Sequence, residues 1–462
     1  MAQQAVPNGF LWGVATSAQQ IDGAVHEGGR GESIWDRFAA TPGNIVDASN
    51  PRVACDHYHR WPEDLGLLQW LGVSAYRFSI SWPRVLPQGR GMRNQDGLDF
   101  YDALVDGLLE KSIRPFVTLN HWDLPQALQD WGGWSARSTA EAFAVYAHIV
   151  TERLGDRVEN WITHNEPWCI ATLGYENGEH APGHRDPAEA LRVAHHLLLS
   201  HGWATAAMRT NCVNAQVGIV LNLLPITPAS ESQQDLNAVR QLDGLFNRWY
   251  LDPLYRGRYP EDAINDRHQW GELDDVSMPF VEPGDLEAIA TPTDFLGVNY
   301  YTRAVVKSGN DGKPHAVSVV PEDELTDMRW EVYPQGLYEL LMRLQDEYQP
   351  PRIYITENGA AYSDGPDADG RINDIRRIAY VQRHVLEALR AQRDGVPVEG
   401  YFLWSLLDNF EWGHGYDKRF GIFWVDYDSL QRTPKDSAHW YRATIAANAV
   451  EDQLDLVARR VS

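Results

Sequence analysis

Short apolar runs rich in β-branched and aromatic residues recur along the 462-residue chain, separated by stretches whose apolar residues fall at three- and four-residue spacing. Eight runs stand out: Leu11 to Ala15, Ala75 to Ile80, Arg114 to Leu119, Val158 to Thr163, Gln216 to Leu221, Asp294 to Val298, Arg352 to Thr356 and Glu399 to Leu403. Stretches such as Gly97 to Lys111 and Arg376 to Arg393 carry charges opposite an apolar face, as helices packed on the outside of a sheet do. Strand and helix in repeated alternation predict a parallel α/β sheet, and eight units close it into a (β/α)8 TIM barrel. No Gly/Ser-rich or Pro-rich linker, charge block or internal repeat marks a boundary, so a single barrel domain is expected over residues 1–450, with a tail at 451–462. The stretches Pro225 to Trp270 and Val305 to Pro334 read as polar loop insertions that build the rim of a deep pocket.

The residues that directly follow these runs are polar or aromatic: Gln20 soon after the first, then Asn120-His121, Asn165-Glu166, Asn222, Asn299, Glu357 and Trp404. Barrel enzymes place their chemistry at these C-terminal strand ends. Arg77 lies inside the second run and points into the barrel, where a buried guanidinium requires an anionic partner that either glutamate supplies. Two carboxyls facing each other across a barrel mouth are the apparatus for breaking a glycosidic bond, and at this level the pattern fits inverting and retaining chemistry alike.

Composition narrows the partners. A formal net charge of −24 disfavours nucleic acid and anionic membrane surfaces, which require Lys and Arg to neutralise phosphate. No run approaches the ~20 apolar residues of a membrane helix, and the N-terminal residues Met1 to Pro7 show neither the basic region nor the apolar core of a secretory signal. Three cysteines, Cys55, Cys169 and Cys212, argue against a disulfide framework, and a bacterial cytoplasmic location is expected; self-association as a homo-oligomer is left open. The 18 Trp and 20 Tyr pack cores, yet their flat faces also suit sugar rings while indole N–H and phenol O–H reach hydroxyls.

Other clusters carry less. Cys55-Asp56-His57-Tyr58-His59 has metal-binding residue types without zinc-site spacing, His195-His196 project from different faces of a helical stretch that also holds His201, and Gly28-Gly29-Arg30-Gly31 lacks the strand and helix a phosphate loop needs. Neither a metal nor a cofactor is expected.

The motifs, taken in order, resemble glycoside hydrolase family 1, the retaining β-glucosidases and β-galactosidases. They run from Phe10-Leu11-Trp12-Gly13-Val14-Ala15-Thr16-Ser17 through Tyr76-Arg77-Phe78-Ser79-Ile80-Ser81-Trp82-Pro83-Arg84, Asn120-His121-Trp122-Asp123-Leu124-Pro125, Thr163-His164-Asn165-Glu166-Pro167 and Ile355-Thr356-Glu357-Asn358-Gly359 to Trp404-Ser405-Leu406-Leu407-Asp408-Asn409-Phe410-Glu411-Trp412. The resemblance spans nearly the whole chain. It implies the (β/α)8 fold, with Glu357 as nucleophile and Glu166 as acid/base at the ends of strands seven and four. Arg77, Asn299 and Tyr301 are then support for the nucleophile. Gln20, His121, Trp122, Asn165, Trp404, Glu411, Trp412 and Phe420 bind the glycone, while Trp168, Leu173, Asn222 and Trp330 lie on the leaving-group side.

A small-molecule β-glycoside follows as substrate, and exo-acting β-glucosidase as activity, with β-galactoside, β-fucoside or transfer activity beside it. Glu411 disfavours a 6-phosphorylated sugar, because a carboxylate there repels phosphate, and the myrosinases' Gln is absent at Glu166. A non-catalytic sugar-binding barrel and an endo-acting cellulase are the competing readings; intact glutamates oppose the first and the rim insertions the second. Met328-Arg329-Trp330-Glu331 departs from the family's small residue before the Trp, so Arg329 is expected to narrow or charge the entrance, with His414 in a variable stretch nearby.

Overall fold

The structure, a computed structural model, describes residues 3–452. All eight runs are strands of one closed parallel barrel: β1 Leu11–Ala15, β2 Ala75–Ser79, β3 Arg114–Asn120, β4 Asn160–Asn165, β5 Gln216–Asn222, β6 Phe295–Asn299, β7 Ile353–Asn358 and β8 Val398–Trp404. Each pairs with its neighbour in sequence, and β8 closes on β1 with Trp404 opposite Ala15. Helices His57–Leu71, Gln95–Glu110, Arg137–Leu154 and Pro187–Asn211 follow β1 to β4, and Pro334–Glu347, Ile375–Arg393 and Asp436–Ala447 follow β6 to β8.

The alternation of side chains along each strand sorts the core into two bodies. Tyr76 and Phe78 of β2 face the helices, in the large outer cluster, whereas Ala75 joins the inner one. Inside the barrel Phe116 packs against Tyr354 and Phe402, with ring centroids 5.1 and 4.9 Å away, plugging the lower half. Above that plug the inward positions turn polar at Arg77, Thr118, Asn165 and Asn299, all buried. The apolar layer therefore serves as a floor on which a polar layer stands.

Two expectations about the insertions change. The segment 225–270 is not a loop: it holds strand Ile226–Pro228 and helices Gln233–Asp243, Trp249–Arg256 and Glu261–Gln269, with Trp249, Tyr250 and Leu251 buried. Segment 305–334 contributes strands Ala304–Ser308 and Pro314–Ala316, which join Ile226–Pro228 in a three-stranded sheet beside the barrel. Ion pairs explain the polar composition: Arg240 and Arg248 both reach Asp262, at 2.7 Å each, so charge is used to join these helices. At the ends of the chain, Gln3–Ala5 pairs antiparallel with Ala449–Glu451, so ordered structure runs just past residue 450, and residues 453–462 of the expected tail lie outside the described part. No described helix is long and apolar enough to cross a membrane.

Candidate active site

Glu357 owes its direction to an irregularity in β7. Register shifts after Ile355 against both neighbouring strands turn the strand, so that the consecutive residues Thr356 and Glu357 both meet partners inside the barrel. Thr356 donates its hydroxyl to Asn299 Oδ1 at 2.8 Å, while Glu357 accepts from Arg77 Nη1 at 2.6 Å and from the Tyr301 hydroxyl at 2.7 Å. Both bonds to the carboxylate are charge-assisted or aromatic-hydroxyl bonds at a buried side chain, where they are stronger than in water. Two residues on, Gly359 lets the chain pass β8: a Cβ there would meet Trp404 O at 1.8 Å.

Glu166 follows β4 in the left-handed region, with φ 47°, and its carboxylate turns inward before a helical turn begins at Pro167. Its Oε1 accepts from Asn299 Nδ2 at 2.7 Å and its Oε2 from the Cys169 thiol at 3.3 Å. No cation touches it. Burial, and then the charge of Glu357, hold Glu166 well above the ordinary carboxylic range.

A line of fixed amides joins the two carboxyls to the pocket wall. Asn165 Oδ1 accepts from Arg77 Nη2 at 2.7 Å and from Asn299 Nδ2 at 3.0 Å, which orients its Nδ2 toward His121 Nε2 at 3.1 Å. Burial keeps His121 neutral, so with Nε2 accepting, Nδ1 carries the hydrogen. Nδ1 is buried and has no partner among the described residues. The imidazole lies nearly parallel to Trp404 and to Trp412, at 21° and 19°.

These groups line a cavity of about 420 Å³, within the range of small-ligand sites. Of the expected residues, His121, Trp122, Asn165, Glu166, Trp168, Leu173, Asn222, Asn299, Tyr301, Trp330, Glu357, Trp404, Glu411, Trp412 and Phe420 are all on its wall. Arg77 and Gln20 are not. Gln20 is fully buried behind Glu411, its carbonyl taking the Ser17 hydroxyl at 2.6 Å and its amide serving Asn409 Oδ1 and Phe410 O at 3.0 Å. Burial, together with the charges of Glu357 and Glu166, pushes Glu411 up to about 8.

Arg329 does not charge the entrance as expected: at φ 62° it turns outward to pair with Glu322 at 2.7 Å, leaving the wall to Met328 and Trp330. His414 does line the cavity, together with Glu179 and His180, which the sequence reading missed. Phe246 was missed as well; it packs 4.3 Å from Trp168 and comes from the segment read as a loop. Cys169 carried a detectable signal, since it lies three residues after Glu166, one helical turn away.

The other clusters are spent on the scaffold. His57 Nδ1 bonds Asp64 at 2.8 Å and His59 Nδ1 bonds Asp56 at 2.6 Å. His195 bridges Tyr259 and Asp285, His196 bonds Trp134 O, and His201 bonds the Thr163 hydroxyl.

A family model described as glycosyl hydrolase family 1 matches residues 2–450. The chain belongs to that family. Within it, a "Beta-glucosidase A" from Acetivibrio thermocellus is 48% identical over 97% of this chain and 100% of its own length. A "Bifunctional beta-D-glucosidase/beta-D-fucosidase" from Bifidobacterium breve is 45% identical over 95% of this chain and 98% of its own. The solved structure of a family 1 β-glucosidase from Thermotoga maritima superposes with a TM-score of 0.93 at 47% identity, covering 98% of this chain and 100% of that one.

Proposed function

We propose that this family 1 chain is a retaining, exo-acting β-glucosidase, with Glu357 as nucleophile and Glu166 as acid/base. One observation carries the assignment: two buried glutamates share a single cavity, yet Glu357 is bound by a guanidinium and a phenol whereas Glu166 is bound only by an amide and a thiol. The guanidinium and phenol favour an anion, whereas on Glu166 burial and the facing charge outweigh the two weaker donors and favour the acid, and these are the two states the reaction starts from. Glu357 attacks the anomeric carbon as the bond to the leaving oxygen breaks, and Glu166 gives its proton to that oxygen. The glycosyl ester has no charge on Glu357, so Glu166 becomes more acidic, takes a proton from water, and the water oxygen displaces the ester.

The wall residues fit the sugar that this chemistry needs. The Glu411 carboxyl on the cavity wall can meet hydroxyls, and Trp404 offers a flat face beside it. Cello-oligosaccharides and aryl or alkyl β-glucosides are the proposed substrates. The β-glucosidase relatives support a glucoside, and the bifunctional relative supports fucoside activity beside it. The buried free thiols of Cys55, Cys169 and Cys212 support a cytoplasmic enzyme.

The test is release of nitrophenol from 4-nitrophenyl β-glucoside by the parent and by Glu357→Ala, with the first-formed sugar followed by NMR. The parent should release β-glucose first and the variant should be inert. Equal rates would remove the assignment, and α-glucose as first product would exclude retention.

A further inference from the structure

The buried thiol of Cys169 has no place in the two-carboxylate scheme, yet it touches the acid/base directly. Its Sγ donates to Glu166 Oε2 at 3.3 Å and accepts from Asn222 Nδ2 at 3.5 Å. Its position is set by the backbone: Cys169 N–H bonds Glu166 O at 3.0 Å, at the start of a wide π-helical turn, Cys169–Glu176. Such turns are uncommon and cluster at functional sites.

The partners of Glu166 decide which of its oxygens can carry a proton. The Thr356 hydroxyl donates to Asn299 Oδ1, which orients that amide with Nδ2 toward Glu166. An amide N–H can only donate, so Oε1 is an acceptor in both protonation states. The carbonyl oxygen of a carboxylic acid is the better acceptor, so the bond from Asn299 favours the proton on Oε2, the oxygen beside the thiol. Burial and the neighbouring Glu166 hold the thiol far above its ordinary range, so it stays S–H throughout.

A thiol is a weak donor and a weak acceptor on one freely rotating bond. It can donate to Oε2 when Glu166 is ionised and turn away when Oε2 is protonated. A stronger fixed donor would hold Glu166 ionised, and an alkyl group would take away the protein donor that the ionised oxygen has there. We propose that Cys169 is a positioning residue that directs the transferable proton of Glu166 to Oε2 and stabilises the ionised form of that oxygen for the second half of the reaction. The inference rests on Glu166 being the acid/base.

The test compares parent, Cys169→Ala and Cys169→Ser. kcat/KM for cellobiose, whose leaving group needs a proton, reports on the acid form. kcat for 2,4-dinitrophenyl β-glucoside, whose leaving group needs none, reports on the base form. Loss of the thiol donor destabilises the carboxylate, so in Cys169→Ala the basic limb of the first profile and the acidic limb of the second should both move to higher pH. A weak bond to a charged oxygen corresponds to about half a pH unit. Cys169→Ser restores a donor and should bring both limbs back to the parent position or below it.

Profiles of the three proteins that superimpose after scaling by a constant would reduce Cys169 to packing and overturn the inference while leaving the glycosidase assignment intact. Undiminished hydrolysis by Glu357→Ala would instead remove both.

Discussion

If Glu357 and Glu166 are the facing pair of a retaining enzyme, removing the charge of one must move the titration of the other by an amount that reports their separation. Glu357→Gln keeps the side chain's shape and removes the negative charge that, after burial, contributes most to raising Glu166. Retention requires the carboxyls to be ~5–5.5 Å apart. At an effective dielectric of about 20, two unit charges about 5 Å apart interact by roughly 3 kcal/mol, which corresponds to a little over two pKa units. Removing a like charge favours the ionised acid, so Glu166 should titrate about two units lower in Glu357→Gln. It should still titrate above an exposed glutamate, because burial is the larger cause and is unchanged. The variant is inactive, so the assay is 13C NMR of side-chain-labelled glutamate, assigned against Glu166→Gln. At about 9 Å, the inverting spacing, the same estimate gives little more than one unit. A fall of about one and a half units or less would therefore refute the retaining separation.

Four further outcomes are expected. Glu166→Ala should lower kcat/KM for cellobiose by about 10² to 10⁴ while sparing 2,4-dinitrophenyl β-glucoside, and azide should restore turnover of the activated substrate as the β-glycosyl azide; equal losses on both substrates would contradict the acid role. Arg77→Met strands the Glu357 carboxylate and two backbone or amide oxygens in the barrel, so calorimetry should show a loss of about 3–5 kcal/mol; an unchanged Tm would mean that Arg77 is not the counter-charge. Phe246→Ala removes the partner of Trp168, and kcat/KM for aryl over methyl β-glucosides should fall about tenfold; an unchanged ratio would take the pair out of the leaving-group site. Burial, with the charges of Glu357 and Glu166, pushes Glu411 up to about 8, protonated below that pH and ionised above it, so Glu411→Gln should make KM for a glucoside flat from pH 7 to 9 where the parent's varies; the same variation in both would assign the titration elsewhere.

The barrel was legible because its strands are buried on both faces and therefore read as unbroken apolar runs rather than alternating ones. Polar residues at the ends of those runs could be assigned to the mouth by topology alone. The segment 225–270 was misread because its first helix, Gln233–Asp243, packs on a small side sheet. In Gln233–Asp243 only Ala238 and Gln241 are buried, and its one arginine, Arg240, is spent on an ion pair, so it carries too little apolar surface to announce a helix. Phe246 was hidden for the same reason. Arg329 was misplaced because nothing in the local sequence shows that its backbone is left-handed and turns the side chain outward.

That last difficulty is general to the site. Trp122, Glu166 and Trp412 are large, non-glycine residues, all on the cavity wall, and all have positive φ, at 79°, 47° and 48°. Local preference opposes each of them by roughly 1–3 kcal/mol, so they persist only where the surrounding structure over-determines them. The restraints are visible. Trp122 is held by its indole bond to Asn165 O at 2.9 Å and by Trp412, 4.4 Å away, while Glu166 N–H is held by Val220 O on β5 at 2.9 Å. The Asn165 that receives the Trp122 bond also takes Arg77 and Asn299, so strain at the wall and charge at the floor are carried by one asparagine. Motifs along a chain can name these residues, because identity is local. Their directions are properties of the closed barrel, since each is imposed by a neighbouring strand or loop against the residue's own preference, and the direction of Glu166 is what makes it an acid rather than a buried glutamate.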